Sequence, residues 1–98
     1  MKNVLSENKT PNLFAIVDLV KAQHPNRLDL IAGLQNAGIG EWTSKGYYRF
    51  VSSANANELG AEWQIDESIV IEQNSNGDIV IDLLKDGRIG GLEFIDLI

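Results

Sequence analysis

Ninety-eight residues, 44% hydrophobic and 22% charged, suffice for one hydrophobic core but leave little chain for a deep catalytic cleft beside it. The absence of cysteine excludes disulfides and thiolate chemistry and favours a reducing compartment, and the net charge of −6 sets the chain against polyanionic partners. No apolar run approaches the ~18 residues that a membrane span needs, and Met1–Glu7 lacks the apolar segment of a signal peptide. The expectation is one cytoplasmic domain over residues 1–98, with 1–9 flexible.

Thr10-Pro11 reads as a helix start, with Thr10 as cap and Pro11 at the first helical position. Leu13, Ile16, Val17 and Val20 then recur at the spacing of one helical face. Pro25 disfavours helical geometry at His24 and predicts the end there. A second helix is predicted from Asn26 as cap, with Leu28, Ile31 and Leu34 on one face, Leu30 beside them and Gly38 as left-handed terminator. Residues 39–46 read as a connection.

The period then changes. Tyr47–Val51 is aromatic and β-branched, the composition of a strand, and 52–60 is a polar loop. Residues 62–73 alternate, with Trp63, Ile65, Ile69 and Ile71 on the apolar side. Asn76-Gly77 and Asp86-Gly87 are hairpin turns around Asp78–Leu83, where Ile79, Ile81 and Leu83 alternate with Asp78, Val80 and Asp82. Residues 88–95 form the return strand, and Gly90-Gly91 marks a bulge or a close backbone approach. Helices followed by strands indicate an α+β fold, with two N-terminal helices packed on one face of a C-terminal antiparallel sheet of about four strands.

Charge is divided along the chain. Residues 1–57 carry +2, whereas residues 58–98 carry −8, with ten acids against Lys85 and Arg88. Such a one-signed field steers a basic partner and repels a phosphate backbone; the alternative is a solvated face that serves solubility.

Motifs for chemistry are sparse. His24 is the only histidine and reads as a helix-end residue; with no cysteine, a zinc site lacks ligands. Asp82, Asp86, Gly87, Ile89 and Glu93 match part of a calcium loop, but Leu84 stands at a ligand position and the flanks read as strands. The carboxylates could form a glycosidase-like pair, yet nothing selects two of them. Phosphate-loop and dinucleotide fingerprints are absent, and a serine nucleophile lacks a histidine partner. Trp42, Tyr47, Tyr48, Phe50 and Trp63, with Lys45 and Arg49, could stack on nucleic acid, but the charge balance favours a core role. No metal, cofactor or catalytic residue is expected.

Gly46-Tyr47-Tyr48-Arg49-Phe50, Glu62–Glu67 and Gly77–Phe94, above all Lys85-Asp86-Gly87-Arg88-Ile89-Gly90-Gly91, resemble the small immunity proteins of bacterial contact-dependent growth inhibition systems. The closing hairpin is also similar to the small YuzE-like domain. The resemblance to immunity proteins implies a non-enzyme that binds and neutralises a cognate toxin domain, often a nuclease. A nuclease presents a basic surface, to which an acidic inhibitor is complementary. The residues expected to contact the toxin are Asp66, Glu67, Glu72, Asp78 and Asp82, on strands or strand ends. The alternatives are a regulatory or subunit-type binding module and, third, a small carboxylate enzyme.

Overall fold

The computed structural model describes residues 5, 10–51, 64–73 and 77–97. Helices α1 (Leu13–Gln23) and α2 (Leu28–Asn36) precede strands β1 (Glu41–Ser44), β2 (Tyr47–Arg49), β3 (Ile65–Ile71), β4 (Ile79–Leu84) and β5 (Ile89–Phe94). The strands form one antiparallel sheet in the order β1-β2-β5-β4-β3, and a 3-10 turn at Ile95–Leu97 follows. The α+β layout matches the change of period; the sheet has five strands rather than about four. The additional strand, β1, lies inside the expected connection 39–46. Four residues closed by Gly40 and Gly46 are too few to show an alternation, and β1 is held by Trp42, whose ring packs on Tyr48 and Phe94 at centroid distances of 5.2 and 5.6 Å.

The helix termini also differ in detail. Asn12, not Thr10, caps α1: its carboxamide oxygen accepts from the Ala15 amide at 3.2 Å. Pro11 lies before the helix, in an isolated bridge with Leu5. Arg27, not Asn26, occupies the cap of α2, without a side-chain capping bond. Helix α2 ends at Ala37 in an extended conformation, so Gly38 is no left-handed terminator; among the described glycines only Gly77 (φ +78°) and Gly87 (φ +90°) adopt positive φ.

The expected apolar stripe of α1 meets Leu30 and Leu34 of α2 and the inner face of the sheet, where Tyr48, Ile69, Ile71, Ile79, Ile81, Ile89, Leu92 and Phe94 are buried. Burial of this kind contributes roughly 1.5–3 kcal/mol per large apolar side chain. The joint between the helices docks on the free edge of β3. Gln23 donates to the Glu72 carbonyl (2.7 Å) and accepts from its amide (2.8 Å), and His24 Nε2 donates to the Val70 carbonyl (3.3 Å). Arg27 binds Glu67 bidentately at 2.8 and 3.0 Å. A strand edge that could pair with another chain is thereby occupied.

Register shifts on β1, between Trp42 and Ser44, and on β3 and β5 set which side chains leave the inner face. Between Ile65 and Glu67 the pairing passes from Leu84 to Leu83, which breaks the expected alternation at Ile65. On β5, Gly90 is the extra residue between the pairs Asp82–Gly91 and Leu83–Ile89, so the glycine pair does mark a bulge.

Candidate functional site

Partners across an antiparallel ladder share a face. Because Ile81 and Leu92 face the helices, their neighbours Asp82 and Gly91 face away, and the register extends this outer row across all five strands: Glu41, Arg49, Gly91, Asp82, Ser68. The adjacent row is Ser44, Tyr47, Glu93, Val80, Val70.

Asp82 is the centre of this face. The Tyr47 phenol donates to its Oδ2 and the Ser68 hydroxyl to its Oδ1, both at 2.7 Å. Tyr47 stands on β2 and reaches β4 across β5, which is possible only because Gly91 has no side chain. A Cβ at Gly91 would lie 2.5 Å from Tyr47 Cζ and 2.6 Å from Cε1, inside van der Waals contact. The glycine expected to mark a close approach is therefore the floor under a tyrosine ring. Burial, and then the Asp82 carboxylate, push the Tyr47 phenol well above its ordinary range, so it is a neutral donor.

Alternation turned Asp82 away from the core, as anticipated, but the residue is only 9% exposed and holds two hydroxyls, so it is not a free carboxylate on an open face. Glu67 is exposed but bound to Arg27, whose guanidinium holds its carboxyl below the usual range; Arg27 acts likewise on Asp29. Asp66 and Glu72 are exposed and Asp78 is half-buried. None of the three forms an ion pair with a described residue, and the same holds for Glu93 and Asp96, which are not among the expected contact residues. Glu72 follows β3, Asp78 precedes β4 and Asp96 follows β5, so these three share one end of the sheet.

His24 lies at the β3 edge bonded to a carbonyl, so Ser68 has no imidazole beside it, and its hydroxyl donates to Asp82. Among the described residues no group of three or more His, Asp or Glu side chains is placed to hold a metal ion. The partial calcium loop is dispersed: Asp82 is engaged as above, Asp86 binds Arg88 at 2.8 Å, and strands flank the turn. Trp42 and Phe50 each pack edge-on with Tyr48, and Trp42 lies tilted against Phe94; Trp63 lies outside the described residues, as do loop 52–60 and Asn76.

No family model, no curated protein and no solved structure matches this chain. Tyr47, Ser68, Arg49 and Glu93 escaped the sequence reading as members of one face. Their signal was the Gly90-Gly91 pair opposite an acidic strand residue, which predicted a close approach without naming what approaches.

Proposed function

We propose that this chain is a non-catalytic immunity protein of the contact-dependent growth inhibition type. It binds one cognate toxin domain, a nuclease, in the cytoplasm and needs no cofactor. The observation that carries this reading is the distribution of unspent charge. Arg27 and Arg88 are each taken by carboxylates, while Asp66, Glu72, Asp78, Glu93 and Asp96, all on the sheet or its ends, have no cation among the described residues. Like charges held on a rigid scaffold repel one another, and a basic surface relieves that repulsion while speeding encounter. Glu67 and Asp82 serve the fold, so the toxin-facing set is Asp66, Glu72 and Asp78, joined by Glu93 and Asp96.

The test is growth of cells producing the toxin domain encoded beside this chain. The wild-type chain restores growth; the variant Asp66→Lys, Glu72→Lys, Asp78→Lys, shown folded by circular dichroism, does not. A wild-type chain that fails to protect, or a folded variant that protects fully, contradicts the proposal.

A further inference from the structure

Of the three arginines, Arg27 and Arg88 hold carboxylates, but Arg49 holds none among the described residues. Glu41 stands directly opposite it across the β1–β2 ladder, yet no ion pair joins them. Tyr47 shares its face and donates its hydroxyl hydrogen bond to Asp82. The Arg49 Nε is buried without a hydrogen-bond partner among the described residues, an arrangement that costs free energy because a charged donor has lost water and gained no acceptor. In a chain of net charge −6, with acids on the same face, an unmatched guanidinium is unexpected.

Arg49 lines a cleft of about 310 Å³ with Ile39, Gly40, Glu41, Phe50 and Val51. Ile39 is 95% exposed, while Phe50 and Val51 are half-buried. Among the described residues, the cleft therefore joins a guanidinium whose Nε has no acceptor to apolar walls that are exposed or half-buried.

We propose that this cleft is a binding site for a carboxylate carried on a short apolar stem. A carboxylate is planar and matches two N–H groups of a guanidinium edge, and the Arg49 Nε is a donor without an acceptor among the described residues. The stem covers Ile39, Phe50 and Val51. Phosphate suits the cleft less well: among the described residues no second cation lines it, and Glu41 repels a dianion. Two sources supply the required chemistry, a free aliphatic acid and the chain end of a partner polypeptide. The site stands whether or not the partner is a toxin.

The probes are isovalerate for the free acid and N-acetyl-leucine for the chain end, with 3-methylbutanol, N-acetyl-leucinamide and inorganic phosphate as controls. The readout is the NMR resonance of the Arg49 Nε–H, assigned by its loss in Arg49→Lys, together with the Gly40 amide. Both carboxylates shift these resonances saturably and the uncharged controls do not; the tighter of the two identifies the source. Arg49→Lys weakens binding, read at Gly40, by roughly fivefold or more because the fork is lost, and Glu41→Gln strengthens it by removing a like charge. The proposal is overturned if neither carboxylate gives a saturable shift, if the alcohol or phosphate shifts the resonances equally, or if Arg49→Lys binds as well as wild type.

Discussion

Removing the two hydroxyls that hold Asp82 should destabilise the fold by more than the sum of the single losses. Tyr47→Phe deletes a bond of 2.7 Å to a carboxylate only 9% exposed. Hydrogen bonds to charged acceptors contribute about 1.5–3 kcal/mol, and the half-buried phenol places this loss near ~2 kcal/mol. Ser68 is exposed, so Ser68→Ala, which removes the bond to Oδ1, should cost about 1 kcal/mol. Either single variant leaves Asp82 one donor. The double variant leaves a buried carboxylate with neither, a situation that costs roughly 3–5 kcal/mol. The excess over additivity is the coupling between the hydroxyls. Urea denaturation of the four proteins measures it, and an unchanged slope confirms that the unfolded states are comparable. A double variant that loses less than about 1 kcal/mol would refute the account, because Asp82 would then be hydrated and the crossing of Tyr47 over Gly91 energetically idle.

Gly77→Val and Gly87→Val should each lower the melting temperature, at a cost on the order of 1 kcal/mol or more, since a β-branched residue resists positive φ; Gly77→Val should be the worse, because a Cβ there also meets Asp96 at 2.6 Å. Gln23→Ala removes two bonds to the β3 edge and should speed hydrogen exchange of the Glu72 amide, with a global loss of about 1 kcal/mol; unchanged exchange would show that the edge is not held there. The raised Tyr47 phenol contributes stability that is complete below the unfolded value of about 10 and lost as pH rises above it. The alkaline fall should therefore be shallower in Tyr47→Phe, as read by denaturation at stepped pH. Asp29, Glu67 and Asp86 are depressed, so their small contributions are present above the ordinary carboxylate range and fade as pH falls through it; Arg27→Ala should flatten the part due to Asp29 and Glu67.

Periodicity made the larger elements legible. The stripe Leu13, Ile16, Val17, Val20 and the alternation of Ile79, Ile81 and Leu83 each report a face that must be buried, and both lie in the core. Cap positions were misplaced by one or two residues because Thr10, Asn12 and Asn26 are all competent caps, and the choice depends on where the backbone turns. Strand β1 was invisible because it is short and three of its four residues are exposed, so burial wrote no pattern there. At the site, alternation correctly turned Asp82 off the core face, but a local pattern cannot show that Tyr47, thirty-five positions away, covers it. Likewise Glu67 read as a free surface acid because its partner, Arg27, belongs to another element forty positions away.

The central claim is that carboxylates fixed on the sheet capture a basic toxin domain. Its most direct test is the association rate of that domain with the wild-type chain and with the variant Asp66→Lys, Glu72→Lys, Asp78→Lys, measured by stopped flow across a range of salt. Electrostatic capture predicts fast wild-type association that falls steeply as salt rises, and slow, nearly salt-independent association of the folded variant. A variant that associates as fast as wild type at low salt, or a wild-type rate indifferent to salt, would contradict the account.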